Sequence, residues 1–175
     1  MQIRRGREAD TERLVALAGQ IFETEQEIPR ALTPLPPENR PQWWCVEEDG
    51  ALLGGVALYW EDNAWHMGRF VISPELRGRH IGTVLLETAL TDIFAQDIRE
   101  VTMEARDTTV HILKKFGAET TGAPFSLFEQ ATLTPADFGS TDISAFGHTE
   151  THLPQPTQIS PQTAGLPFSR VIAPK

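Results

Sequence analysis

The stretch ISPELRGRHIG, residues 72–82, joins an apolar run to an amphipathic one and holds a proline, two arginines and two glycines. Pro74 cannot donate a hydrogen bond to a neighbouring strand, so it ends the strand before it, and glycines admit backbone conformations that other residues avoid. A helix beginning near Ile81 directs unpaired N–H groups and its positive end toward this turn. In a chain of net charge −9, this local positive charge predicts an anion site suited to a pyrophosphate. The alternative is an ordinary strand-to-helix turn with solvent-facing arginines.

The apolar patterns on both sides of this turn predict alternating strands and helices. Before it, three runs separated by the turn dipeptides Asp49-Gly50 and Asp62-Asn63 indicate an antiparallel meander. The prolines between residues 29 and 41 indicate a loop. Strands are predicted at residues 2–5, 43–48, 52–60, 65–72, 100–105 and 125–133, and helices from residue 10 onward, at 83–94 and at 107–116. This order indicates an α/β or α+β sheet with helices on its faces.

The composition excludes several classes of protein. Hydrophobic residues make up 40% and charged residues 22% of the 175 residues, as in ordinary globular domains. No apolar run approaches the roughly 20 residues that cross a bilayer, and MQIRRGREAD at the start lacks the apolar part of a signal peptide, so we expect a cytoplasmic protein. The acidic balance argues against a nucleic-acid partner. Cys45 is the only cysteine, which excludes a disulfide within the chain and favours a small core residue.

The composition changes after Leu133. Residues 134–175 hold six of the 13 prolines and few charges, with threonine, serine and glutamine throughout and apolar residues without a period. We therefore predict a domain of residues 1–133 and a C-terminal extension, residues 134–175, that lies extended on its own domain or on a partner subunit. A homodimer joined through this extension is a further expectation.

VISPELRGRHIGTVLL, residues 71–86, resembles the acyl-CoA signature of the GNAT superfamily of N-acetyltransferases: Arg or Gln, two residues, Gly, one residue, then Gly or Ala. Arg77 and Gly82 match the ends of this pattern, and His80 stands where the family most often has its middle glycine. The resemblance covers residues 2–133 and implies the α+β GNAT fold, a mixed and mostly antiparallel sheet, splayed in the middle, with helices on both faces. FETEQEIP, residues 22–29, further resembles a small branch of uncharacterised bacterial members.

The resemblance implies acetyl-CoA as the cofactor. Its pantetheine arm would lie between the strand ending at Ile72 and the strand ending at Ala105, where the sheet splays. The residues expected to hold the coenzyme are Val71, Ile72, Arg77, Gly78, Arg79, His80, Ile81, Gly82 and Thr83.

Two side chains near the expected splay are candidates for the catalytic base. A lysine-like amine of pKa about 10.4 is only about a thousandth neutral near pH 7.4, a penalty of about 4 kcal/mol that a base can offset. Glu104 ends the strand after the signature helix, and His66 lies in the strand that leads into the signature. A solvated carboxylate and a half-buried histidine are the structural alternatives for these two residues, and Glu61 and Glu25 are further catalytic alternatives.

The leaving thiol has no evident proton donor. The family often has a tyrosine four residues before the glycine that ends the last helix, and here that place is Leu113. A thiol of pKa about 8.5 is a tolerable leaving group without help, and water or His111 are substitutes. The histidines show no metal-ligand spacing, so no metal is expected.

From the resemblance we predict an N-acyltransferase that moves acetyl directly from acetyl-CoA to the amine of a small molecule. The alternative is a non-catalytic CoA-binding or protein-interaction module.

Overall fold

The computed structural model describes residues 1–125 and 168–174, which form a sheet with helices on both faces. In these residues no helix combines the length and the apolar character that spanning a membrane requires. The elements in chain order are β1 (Gln2–Arg5), α1 (Thr11–Gln26), β2 (Gln42–Glu48), β3 (Ala51–Glu61), β4 (Ala64–Ile72), α2 (Ile81–Phe94), β5 (Glu100–Arg106), α3 (Asp107–Lys114), β6 (Glu119–Phe125) and β7 (Phe168–Pro174).

The seven strands form one mixed sheet in the order β1-β2-β3-β4-β5-β7-β6. All neighbouring pairs are antiparallel except β4 and β5, which are parallel. The turns between β2 and β3 and between β3 and β4 place Asp49, Gly50, Asp62 and Asn63 at positive φ, as tight hairpins require. The predicted meander of three antiparallel strands is therefore confirmed.

The sheet opens between β4 and β5. His66 lies opposite Thr102 and Met67 opposite Met103, and the register between the two strands ends there. On its other side β4 stays paired with β3 as far as Ile72, which lies opposite Gly54. We call the opening between residues 68–72 of β4 and residues 104–106 of β5 the gap. It confirms the splay that the family resemblance implies.

Alternation along β3 separates the two faces of the sheet. Val56 and Leu58 belong to the larger core, to which α2 and α3 contribute their apolar sides. Tyr59 packs on the opposite face with Leu14 of α1, and we call this the α1 face. Cys45 is completely buried among the same residues, as predicted. The gap therefore lies between a helix layer on one side and α1 with its following loop on the other.

The predicted last strand, residues 125–133, stays a prediction apart from Phe125, which ends β6. The strand after α3 is β6, which ends at Phe125, and residues 126–133 lie outside the described residues. The sequence of β6, ETTGAPF, consists mostly of small and polar residues and therefore carries no strong strand signal. Pairing with a neighbouring strand can hold such a segment in a sheet without one. β7 comes from residues 168–174, in the predicted C-terminal extension, and inserts between β5 and β6. The predicted boundary between a domain of residues 1–133 and a C-terminal extension stays a prediction.

A buried ion pair joins the first strand to the turn before α1. Asp10 Oδ2 accepts from Arg4 Nη1 at 2.7 Å and from the Arg7 backbone N–H at 2.8 Å. Arg4 Nε donates to Glu47 Oε2 at 2.6 Å. The Arg4 guanidinium and the Arg7 N–H together hold the pKa of the Asp10 carboxyl near 2, below its usual 3.8. Because the folded value is the lower one, this carboxylate stabilises the fold above pH 4 and loses its contribution as the pH falls toward 2.

We expect Asp10→Asn to lower the free energy of unfolding by about 2 kcal/mol at pH 7, since the substitution removes the charge from a buried pair and from a helix start. Urea unfolding at pH 7 and at pH 2 measures this, and the difference between variant and parent should shrink at pH 2. Glu12→Gln, at an exposed position in the first turn of α1, is the matched control. An unchanged stability at pH 7 would contradict the prediction.

Candidate active site

A cavity of about 660 Å³ lies at the mouth of the gap, where the end of β4, the turn before α2, the start of α2 and α3 meet. Its volume is in the range of small-molecule sites. Of the residues predicted to hold the coenzyme, Arg79 does not line it. Those that do are Val71, Ile72, Arg77, Gly78, His80, Ile81, Gly82 and Thr83.

The turn before α2 has two residues in the left-handed conformation and leaves the first N–H groups of the helix unpaired by its backbone. Gly78 and His80 both take positive φ, 73° and 60°, and His80 therefore adopts the conformation that the family's usual glycine has at no steric cost. The Val84 N–H donates to the His80 carbonyl at 3.2 Å, the first backbone bond at the start of α2. The N–H groups of residues 81–83 precede that bond and lie at the positive end of the helix. We call them the amide cradle.

Packing favours glycine at position 82. A Cβ at this position would lie 3.0 Å from Phe70 Cζ and 3.4 Å from Ile72 Cγ1. The first distance is tighter than most real Cβ contacts, so a side chain at this position would push against Phe70 at the mouth of the gap. Its side-chain hydrogen therefore allows α2 to approach β4 closely, which brings the amide cradle to the cavity.

The Arg77 guanidinium is committed to protein partners. Its Nε donates to the Ile72 carbonyl at 3.1 Å, and its Nη2 donates to Glu25 Oε1 at 2.7 Å. The pair is partly exposed, with 45% of the Arg77 side chain and 34% of the Glu25 side chain accessible, so it contributes little to stability. It nevertheless ties the end of α1 to the turn. Glu25, within the FETEQEIP run, is thus part of the cavity wall.

Two cationic residues of the cavity were not predicted from the sequence. Arg106, at the end of β5, and Lys115, directly after α3, both line the cavity, together with Thr108 and Thr109 at the start of α3. Arg106 ends a strand and Lys115 follows a short helix, and no motif marks either residue. The positive charge at the cavity therefore comes from two sides of the gap.

The two candidate bases lie on the α1 face and do not line this cavity. His66 is half-buried and stacks on Tyr59, its cross-strand neighbour, with ring centroids 5.7 Å apart. Its Nε2 is buried and has no hydrogen-bond partner in the described part of the chain. Glu104 follows Thr102 by two residues on β5 and therefore shares its face, where its side chain is exposed. The structure brings both residues to the closed end of the gap.

Arg69 completes this polar group and was missed in the sequence. It has φ of 54° in a β-bulge, where the register between β3 and β4 shifts. Its Nε and Nη2 donate to the carbonyls of Thr33 and Leu32 at 2.9 and 3.1 Å. Its guanidinium carbon lies 5.4 Å from the centroid of the Tyr59 ring. The one sequence signal for Arg69 is that a charged residue stands within an apolar strand run. We call Tyr59, His66, Arg69 and Glu104 the polar cluster.

The remaining sequence candidates have structural roles or lie elsewhere. Leu113 is 2% exposed and belongs to the larger core, and His111 is exposed on α3. Burial raises the pKa of the Cys45 thiol, which makes it a poor nucleophile. Trp44 is buried and donates from Nε1 to Asp92 Oδ2 at 2.7 Å. Within residues 1–125 and 168–174, no cluster of three His, Cys, Asp or Glu side chains is arranged to hold a metal ion.

Comparison with known proteins matches this geometry to one family. The acetyltransferase (GNAT) family matches residues 11–118, a span that begins with α1 and ends after α3. No curated protein matches the chain at a significant level of sequence similarity.

Solved structures share the fold at low sequence identity. ElaA of Escherichia coli superimposes with a TM-score of 0.66 and 13% identity over 98% of this chain and 99% of that one. The ribosomal-protein-alanine N-acetyltransferase of Brucella melitensis gives 0.63 and 15% over all of both chains. A predicted acetyltransferase of Clostridium acetobutylicum, solved with acetyl-CoA, gives 0.58 and 18% over 73% of this chain and 95% of that one. At these identities the likeness shows the fold alone.

Proposed function

Because the chain belongs to the GNAT acetyltransferase family and is an N-acetyltransferase, we propose that its acyl donor is acetyl-CoA and its acceptor the amine of a small molecule in the cytoplasm. The observation that carries the proposal is the cavity of about 660 Å³ at the mouth of the gap. It combines an amide cradle suited to a pyrophosphate with an opening in the sheet that can take an extended arm.

The residues present fit acetyl-CoA. The amide cradle would hold the pyrophosphate, and Arg106 and Lys115 supply positive charge on the opposite wall of the cavity. Val71 and Ile72 border the gap and also line the cavity, where a strand could pair with a pantetheine amide. When bound, the thioester would supply an activated acyl group.

The polar cluster supports an amine as the acceptor. A neutral amine must form before it can attack a thioester, and the acceptor's surplus proton needs a base. His66 Nε2 is buried and lacks a hydrogen-bond partner among the described residues, so this nitrogen is able to form a further hydrogen bond at the closed end of the gap. Glu104 lies on the same face. Either group would take the proton from the acceptor nitrogen.

A small acceptor is favoured because the polar cluster is mostly enclosed. Tyr59 is 8% exposed and His66 is half-buried, so a slim amine reaches them more readily than a folded surface. The Brucella melitensis neighbour is described as acting on a ribosomal-protein alanine. A peptide amine therefore belongs in the acceptor panel as the competing substrate class.

Two measurements test the proposal on the full chain. Calorimetry with CoA and acetyl-CoA should give a measurable heat of binding, and thiol release from acetyl-CoA should rise with at least one small amine above the rate without acceptor. Release only with peptides ending in alanine would replace the small-molecule acceptor. Binding without release for any amine would favour the non-catalytic module, and absence of binding would overturn acetyl-CoA as donor.

A further inference from the structure

A proton donor would make the departing sulfur a better leaving group, and α3 has no tyrosine to serve as one. The place where the family often has a tyrosine is Leu113, which is 2% exposed in the core. Tyr59 is the only tyrosine of the chain. Its position relative to the gap therefore decides whether any phenol can serve the reaction.

Tyr59 lies at the closed end of the gap. Gly68 is the first residue of β4 after its last paired position with β5, which joins Met67 and Met103. A Cβ built on Gly68 would lie 3.1 Å from both the Tyr59 hydroxyl oxygen and Cε1. The glycine thus leaves room for the phenol beside the backbone. An arm that enters at the mouth of the gap and runs along β4 would bring its thioester end to this hydroxyl.

The surroundings keep the phenol protonated while offering charge stabilisation to its anion. Burial raises the pKa of Tyr59, the nearby Arg69 guanidinium lowers it, and the Glu61 and Glu104 carboxylates raise it. From β4, Arg69 lies 5.4 Å from the ring and the His66 imidazole stacks on it at 5.7 Å. A neutral phenol beside a cation is suited to giving up a proton within a catalytic step.

We propose that Tyr59 protonates the coenzyme sulfur as it leaves, in place of the tyrosine missing from α3. This inference rests on the proposed function. In the step, the bond between the acceptor nitrogen and the acyl carbon forms and the bond between that carbon and sulfur breaks. The electron pair of the broken bond goes to sulfur, which takes the proton from the Tyr59 hydroxyl. The nitrogen's surplus proton goes to His66 or Glu104 and from there, through water, to the Tyr59 oxygen, so both groups regain their starting protonation and the products are an amide and a thiol.

The single tyrosine makes contact with sulfur directly measurable. Protein labelled with carbon-13 at the tyrosine Cζ gives one resonance, whose shift reports hydrogen bonding and ionisation of that hydroxyl. We expect CoA to shift it, and desulfo-CoA, which lacks the sulfur, to leave it near the position of the free protein. Equal shifts with both ligands would overturn the role of Tyr59. If calorimetry shows that neither ligand binds, the proposed function itself fails.

Kinetics of Tyr59→Phe separate proton donation from a structural role. We expect kcat with acetyl-CoA to fall by about 10²-fold, the usual size of general-acid help. The leaving group of p-nitrophenyl acetate is a much weaker base than a thiolate. With this acyl donor the loss in kcat should therefore be less than about 10-fold. Trp60→Phe, the neighbouring aromatic, packed against Trp65, is the matched control and should show no dependence on leaving group. Equal losses with both acyl donors, or no loss with acetyl-CoA, would overturn the inference.

Discussion

Replacing His66 and Glu104 together, as His66→Gln with Glu104→Gln, is expected to lower kcat by about 10²–10⁴-fold, because general-base help is of this size. His66 carries a buried Nε2 without a partner among the described residues, and Glu104 lies on the same face one strand away. With both gone, no base of the polar cluster remains to accept the proton of the attacking nitrogen. Steady-state kinetics with saturating acetyl-CoA measure the effect.

The two single variants divide the role between these residues. The one that acts as base should show most of the loss in kcat, with the loss diminishing at high pH, where more of the acceptor amine is already neutral. Glu87→Gln with Glu100→Gln, both at exposed positions, is the matched double control and should keep parental turnover. If the His66 and Glu104 double variant turned over as fast as this control, neither residue would be the base.

Gly82→Val is expected to weaken CoA binding by about 100-fold, or about 2–3 kcal/mol, the cost of overpacking a close contact. Its Cβ would lie 3.0 Å from Phe70 Cζ, so α2 must move away from β4 or Phe70 must turn into the cavity. Either change separates the amide cradle from the mouth of the gap. Calorimetry with CoA measures the loss, and thermal unfolding shows whether the variant is still folded.

Two further variants of α2 and its turn give the comparison. Thr91→Val, at an exposed position of the same helix, should bind CoA like the parent. His80→Gly should also keep CoA binding. Glycine removes the steric cost of the left-handed conformation, about 1 kcal/mol, and retains the backbone N–H. Parental affinity in a folded Gly82→Val would show that the close packing of α2 on β4 does not position the binding site.

The order of helices and strands up to α3 was predictable because local patterns determine it. The meander follows from Asp49-Gly50 and Asp62-Asn63 between apolar runs, and the helix after the turn follows from its apolar periodicity. The turn that we propose binds an anion was likewise predictable, since Pro74 and the glycines act on the backbone within a few residues. Each of these features depends on neighbours in sequence.

The sequence by itself thus predicted the order of these elements and, through its resemblance to the GNAT signature, the fold and the turn that holds the amide cradle. Only the tertiary structure decided that Arg77 is paired with Glu25, that Arg106 and Lys115 face the cavity, and that β7 inserts beside β5. It also placed Tyr59 against Gly68 at the closed end of the gap. These contacts join residues far apart in the chain, and their partners are selected by strand register and by packing between layers, which no local pattern encodes.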